Sequence, residues 1–367
     1  MDTNKQNTPN FIENCLKCHA TSSAEKLNEC FKSFDMNKDG KLDLKEFDHF
    51  LGCLFSKNGK PYPITEKQRK IIHNLLDENK DGKIDYEEFR IIWYHWLKQI
   101  LDPVTALLVV DVQNDFITGS LAIKDCPAGQ DGEAIIPVIN KMLDTVKFDC
   151  VVYSYDWHPP NHISFVDNVK SWKVHNSSKV PADIAKLYDT VTFDGDPIKV
   201  QKLWPAHCIQ NSWGSQLHPD LKVVENACHV NKGKNPEIDS YSAFWDNNKL
   251  SQTELVSELT KRGVTDVYVC GVAYDVCVGS TALHSIEHGF RTLLIDDASK
   301  GVSEEGIRDM RNELQQMGAI IVNSDEVQEL VSAKDRRPEL GVQAALNVAL
   351  ARKLVKRNSQ SRISPRK

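Results

Sequence analysis

The sequence predicts an α/β chain: a parallel-sheet, three-layer α/β/α domain preceded by an all-α module. Three observations carry that prediction. Short apolar runs at 106–110, 150–153, 267–272, 292–295 and 319–322 alternate with helical patterns at 134–146, 252–262 and 304–317. Successive βαβ units with a buried parallel sheet read this way. Polar clusters in the same region directly follow strand-like runs, where ligands bind in open α/β sheets. Ahead of Asp102-Pro103 stand two copies of one acidic twelve-residue pattern, starting at 35 and 77. The expected organisation is an N-terminal segment over 1–21, the all-α module over 22–102, the α/β domain over 103–335 and a helical, basic tail over 336–367.

A chain of 367 residues can hold two domains and a sizeable core. With 41% hydrophobic and 26% charged residues and a net charge of −6, neither nucleic acid nor a membrane is expected as a partner. The start, MDTNKQNTPN, lacks the apolar core of a signal peptide, and no apolar stretch is long enough to span a bilayer. A cytoplasmic protein with reduced thiols is the expectation for its ten cysteines. Cys15, Cys18 and His19 form the C-x-x-C-H pattern of haem attachment; that chemistry needs export, so the match is taken as chance.

The acidic repeat has oxygen donors where a calcium loop needs them. The first copy places Asp35, Asn37 and Asp39 at positions 1, 3 and 5, Gly40 at the sharp turn, Asp43 at 9 and Glu46 at 12. The second places Asp77, Asn79, Asp81, Gly82, Asp85 and Glu88 in the same register. Lys41 and Lys83, at position 7, contribute only backbone carbonyls, so their side-chain charge does not matter there. Leu42 and Ile84 should pair across the two loops, and amphipathic segments flank each loop. The pair resembles the EF-hand family, which implies two bound calcium ions. Only Met36 stands in for the methionines that line sensor grooves, which favours a structural or tethering role.

Along the α/β region, Asp111 follows the first run, and Asp156, His158 and His162 follow the second. Trp204 and His207 lie in LWPAHC, Lys232 ends the short run HVNK, and Cys277 follows the run 267–272. A cysteine between a buried strand and a helix start meets converging N–H groups and a favourable helix dipole. A lysine beside it would stabilise a thiolate, and a carboxylate can take and return a proton. Asp-x-His with a distant histidine makes a divalent metal site with open positions. Taken singly, Asp111 could be a helix cap, His207 a core histidine, Lys232 a surface charge and Cys277 a buried apolar filler. Their shared placement after strands argues for chemistry. Cys126, Cys150, Cys208, Cys228 and Cys270 are read as packing residues, and the tail, helical over 340–355 and ending NSQSRISPRK, as solvated, with nuclear import one role for it.

The motifs DVQNDF (111–116), DWHP with His162, WPAHC (204–208), NKG (231–233), DSYSAF (239–244) and GVAYDVCV (271–278) together resemble the nicotinamidases of the isochorismatase-like cysteine hydrolase family. That resemblance implies a triad of Asp111, Lys232 and Cys277. It implies a zinc-type site at Asp156, His158 and His207, with iron or manganese reported among relatives and His162 ligating only in some. It further implies aromatic walls at Phe116, Trp204 and Tyr241, a cis Val272–Ala273 peptide, and an oxyanion hole of the Ala273 and Cys277 N–H groups. The fused EF-hand pair is similar to that of invertebrate nicotinamidases. The implied activity is hydrolysis of nicotinamide to nicotinic acid and ammonia through a cysteine thioester, in NAD salvage; a homo-oligomer is compatible with it. An amidase for another small amide, and a calcium-binding adaptor on an inactive hydrolase fold, are the competing readings.

Overall fold

The computed structural model describes residues 23–363. The 1–21 segment with its Cys15, Cys18 and His19, and the last four residues of the basic end, lie outside the described residues. The chain divides into two compact units: Val104–Gln328, and the residues up to Pro103 together with those from Glu329 onward. No helix among the described residues is long and apolar enough to cross a membrane.

The helical unit contains α1 (Ser23–Phe34), β1 (Lys41–Leu42), α2 (Leu44–Leu54), α3 (Glu66–Leu76), β2 (Ile84–Asp85) and α4 (Tyr86–Ile92). The chain continues from α4 through a π-helical turn, Trp93–Leu97, to Leu101. Position 9 of each acidic loop doubles as a helix N-cap. Asp43 accepts the Glu46 N–H while Glu46 accepts the Asp43 N–H, and Asp85 and Glu88 repeat this capping box. The loops pair antiparallel, Leu42 opposite Ile84. Beneath them Phe31, Phe34, Phe47, Phe50, Phe89 and Trp96 form one buried aromatic core.

In the α/β unit the strands are β3 (Thr105–Val110), β4 (Cys150–Asp156), β5 (Cys228–Lys232), β6 (Asp266–Val272), β7 (Arg291–Lys300) and β8 (Ile320–Val322). All pair parallel, in the order β8-β7-β6-β3-β4-β5. The helices that cross between them include Ile135–Thr145, Leu255–Lys261, Gly279–Glu287 and Glu304–Gln316. β3 and β6 are fully buried along their length, which explains why they read as unbroken apolar runs. The chain builds outward from β3 to β5 on one side, then returns to β6 and builds the other way. The crevice at this switch point, between the carboxyl ends of β3 and β6, is where a ligand belongs. The long excursion from β4 to β5 carries an unanticipated hairpin, Thr190–Phe193 with Lys199–Lys202, over its own small core of Ile163, Val169, Val191, Phe193 and Leu203. Four-residue strands with one buried face leave too short an alternation to read.

The C-terminal stretch departs from a solvated tail. Pro338–Ile363 forms one helix, α5, and its Ala344, Ala345 and Val348 belong to the core of the helical unit. The Trp96 indole N–H donates to the Gly341 carbonyl at 2.8 Å. The unit boundary accordingly falls near 328 and not at 335. The sequence hides this because α5 has no single apolar face: Leu346, Leu350 and Leu354 point outward, 44%, 55% and 59% exposed, and the face that docks is made of small residues.

Candidate active site

The switch-point crevice collects the expected residues. Asp111 directly follows β3, Asp156 ends β4 and Lys232 ends β5, while Cys277 lies in a short π-turn, Tyr274–Val278, between β6 and the following helix. Lys232 is the hub. Its Nζ lies 2.8 Å from Asp111 Oδ2, 2.5 Å from Asp156 Oδ1, 2.9 Å from the Ser240 carbonyl and 3.4 Å from Cys277 Sγ. All four side chains are at least 96% buried, so one cation neutralises two carboxylates that could not otherwise be left charged here.

The electrostatics follow from that burial. Desolvation pushes the Asp111 carboxyl above its ordinary value, with Lys232 opposing. Desolvation would raise Asp156 as well, but Lys232 and then His158 outweigh it and hold that carboxyl well below the usual range. Burial would lower the Lys232 ammonium, but Asp111 and Asp156 keep it firmly protonated. For Cys277, desolvation raises the thiol well above its ordinary value despite Lys232. Lys232 favours the thiolate, as the sequence reading has it, while burial works against it; Asp111, made more basic by burial, is poised to take the thiol proton. Asp111 sits at φ 51°, a left-handed conformation that aspartate tolerates at a cost of about 1–3 kcal/mol.

Three donors converge beside this group. His158 Nε2 and His207 Nε2 stand 3.5 and 3.6 Å from Asp156 Oδ2, too far for hydrogen bonds. Each ring is oriented from behind: His158 Nδ1 donates to the Gly233 carbonyl at 3.0 Å and His207 Nδ1 to the Pro205 carbonyl at 2.8 Å. Backbone carbonyls that fix the outer nitrogen and leave the inner one bare are what metal-ligating histidines receive. Asp156, His158 and His207 therefore fit a divalent transition metal, each offering one ligand atom within a common 4.8 Å sphere. Gly233 makes room for this: a Cβ there would lie 2.4 Å from His158 Cε1. His162 stacks on His158 with centroids 4.0 Å apart, and its Nε2 has no hydrogen-bond partner. Burial and then His158 push its pKa down to about 3, so the ring is neutral.

A narrow pocket reaches Cys277, Ala273, Asp156 and His207. Phe116, Trp204 and Tyr241 line it, with apolar floor residues Leu121, Ile123 and Val302. A flat ring would find aromatic walls here and few polar groups. The Val272–Ala273 peptide is cis, and the Ala273 carbonyl accepts from the Val276 and Val278 N–H groups, winding the turn that carries Cys277.

Several supporting residues escape sequence reasoning. Ser154 Oγ donates to Asp111 Oδ1 at 2.6 Å. Gln113 clasps the backbone of Asp156, accepting from its N–H and donating to its carbonyl at 2.8 Å. Asp115 Oδ2 accepts the Cys208 N–H, fixing the segment that carries His207, and Asp275 anchors the Val302 and Ser303 N–H groups. Asp239, also in the pocket wall, lies within metal-ligand range of His158 and His162. Gln113, Asp115, Asp239 and Asp275 stand inside the recognised motifs, which is their only sequence signal; their contacts are across the fold.

In both calcium-type loops the donor set is intact and preorganised. Asp35 accepts from the Asp39 and Gly40 N–H groups, Asp77 from Lys80 and Gly82, and Gly40 and Gly82 turn at φ 82° and 83°. Asn37 and Asn79 accept from Asp39 and Asp81. Glu46 and Glu88 reach back over the loops to N–H groups at 36–37 and 78–79. Lys41 and Lys83 cross between loops to Asp81 and Asp39 at 2.6 and 2.8 Å, which the position-7 backbone role does not anticipate. Five side-chain oxygen donors and one carbonyl per loop fit a hard cation such as calcium.

An isochorismatase domain model matches residues 105–326, and an EF-hand domain pair matches residues 24–94. The chain is 39% identical over 202 residues to a nicotinamidase of Acinetobacter baylyi, which spans 55% of this chain and 83% of that protein. A solved nicotinamidase/pyrazinamidase of Acinetobacter baumanii is 37% identical, with a TM-score of 0.52 over 61% of this chain and 98% of that one. A yeast nicotinamidase bound to the inhibitor nicotinaldehyde is 31% identical, with a TM-score of 0.50 over 60% of this chain and 99% of that one.

Proposed function

This chain belongs to the isochorismatase family, and on that premise we propose that it hydrolyses nicotinamide to nicotinic acid and ammonia through a thioester on Cys277. The observation that carries the reading is the meeting, in one aromatic-walled pocket, of Cys277, Asp111 and Lys232 with the Asp156–His158–His207 donor set. Relatives named nicotinamidases support the substrate. An aldehyde on a pyridine ring, the inhibitor in the yeast structure, is also the class of molecule to which the Cys277 thiol would add.

Phe116, Trp204 and Tyr241 stack on the pyridine ring and set the carboxamide over Cys277. When bound at Asp156, His158 and His207, a zinc-type metal supplies a Lewis-acidic anchor for the ring nitrogen. Asp111 takes the Sγ proton as sulfur bonds to the amide carbon. The N–H groups of Ala273 and Cys277 hold the oxyanion. Asp111 returns the proton to nitrogen, the C–N bond breaks and ammonia leaves. A water that gives its proton to Asp111 then attacks the thioester, and the C–S bond breaks to release the acid and restore the thiol. Lys232 keeps its proton throughout, and its charge lets Asp111 alternate between forms beside Asp156. The product serves NAD salvage in the cytoplasm, and the two acidic loops bind calcium.

The direct test is ammonia release from nicotinamide, before and after a transition-metal chelator. Release that chelation abolishes and zinc restores is the expected result. Release only from another small amide would replace the substrate, and no release from any amide would favour the adaptor reading. A finer test uses Ser154→Ala. The hydroxyl lowers the Asp111 pKa, so its loss raises the base's pKa and moves the acid limb of kcat/KM to higher pH by about one unit. Activity should then fall along the acid limb and be nearly unchanged on the plateau above it; an unshifted limb would remove Asp111 as the base.

A further inference from the structure

The face of the helical unit beneath the calcium-type loops is occupied by the chain's own C-terminal helix. EF-hand pairs take helical targets against such faces, small or apolar side chains inward. Along α5 the inward residues are Ala344, Ala345 and Val348, at 0%, 0% and 6% exposure. Gly341 makes the approach possible: a Cβ there would lie 2.2 Å from Phe55 Cζ, and the close passage brings its carbonyl to Trp96. Ahead of the helix, the buried Arg336 guanidinium donates to the Leu54 carbonyl and the Ser56 hydroxyl, pinning α5 to the end of α2.

The contact with the second loop is more specific. Arg352 Nη1 donates to the carbonyls of Leu75 and Leu76, the last two residues of α3, at 3.3 and 3.2 Å. Its Nε lies 3.3 Å from Glu78 Oε2. Asp77, the first donor of the second loop, stands between Leu76 and Glu78. One side chain of α5 thus grips both flanks of the residue that opens the calcium site, where it caps otherwise unpaired helix-end carbonyls. A groove open to solvent lies between α5 and the helix that follows the second loop, lined by Ile91, His95, Val348 and Ala351.

We propose that α5 is the built-in target of the EF-hand pair, and that calcium in the second loop and docking of α5 stabilise one another. The inference rests on the calcium reading of the loops. Calcium orders Asp77 and the α3 end that Arg352 grips, and docking presents that end already fixed. By linkage each event strengthens the other by the same factor.

The test uses the full chain. Calorimetric titration first establishes whether calcium binds. Hydrogen exchange of amides 342–352 is then compared in calcium and in a calcium chelator. The expected result is bound calcium with exchange about tenfold faster after chelation. The Gly341→Leu substitution, which forces α5 away from Phe55, should weaken calcium binding about fivefold or more at one of two sites. Absence of calcium binding would overturn both the calcium reading and the coupling. Binding with unchanged exchange of 342–352 would overturn the coupling alone, and the wild-type exchange decides it even if the Gly341 variant fails to fold.

Discussion

Replacing Cys277 by alanine is expected to reduce ammonia release from nicotinamide by at least ~10⁴-fold while leaving nicotinamide binding measurable. Sulfur is the only group of the pocket that can form the thioester, and no neighbour can substitute. Asp111 is held by Lys232 and Ser154, and the histidines are oriented toward Asp156. Binding should persist because the aromatic walls and the metal-type donors lie outside the substituted atom. The removed group is one sulfur in a site where Cys277 is 4% exposed, so the fold loses little. Calorimetry with nicotinamide and a single-turnover ammonia assay check both halves. Retained turnover would remove the covalent mechanism, whereas loss of binding along with turnover would mean that the thiol builds the pocket.

Lys232→Met should damage stability as well as rate. Asp111 and Asp156 would lose their shared cation, and an uncompensated buried charge costs about 3–5 kcal/mol. For a unit of this size that corresponds to a melting temperature lower by roughly 10 °C. The pH dependence carries the diagnostic sign. In the parent chain the folded Asp156 carboxyl lies well below its ordinary value. Its contribution is therefore present above the ordinary carboxylate range and lost as pH falls through the folded value. Asp111, raised by burial, has the opposite effect: it favours the fold while protonated and loses that contribution as pH rises through its raised value. Without Lys232, desolvation raises both carboxyls, so acidification toward pH 5 stabilises the variant relative to the parent and narrows the gap between them. Thermal melts at pH 5 and pH 8 test this. An equal gap at both would mean that the lysine acts through packing alone.

The α/β architecture was legible because β3 and β6 are buried on both faces and so appear as unbroken apolar runs. The excursion between β4 and β5 was legible only as motifs. Its hairpin strands are four residues long, and its fold is set by contacts such as Asp115 to Cys208 across 93 positions. Sequence spacing gives no hint of that pairing. The calcium-type loops were the easiest to read, since every candidate donor falls within twelve consecutive residues and the geometry is local. The C-terminal helix was the hardest: its existence follows from local propensity, but its docking depends on a glycine carbonyl meeting Trp96, 245 positions away.

The sequence by itself determined the calcium-type loops, the alternation of strands and helices, and the chemical identity of Asp111, Lys232 and Cys277, because each depends on residue type and near neighbours. Tertiary structure alone decided what those residues are electrostatically. Lys232 became the hub of two carboxylates, and Cys277 a thiol weakened as an acid by burial beside a carboxylate strengthened as a base. These are consequences of burial, and burial is set by strands that are adjacent in the sheet and far apart in the chain.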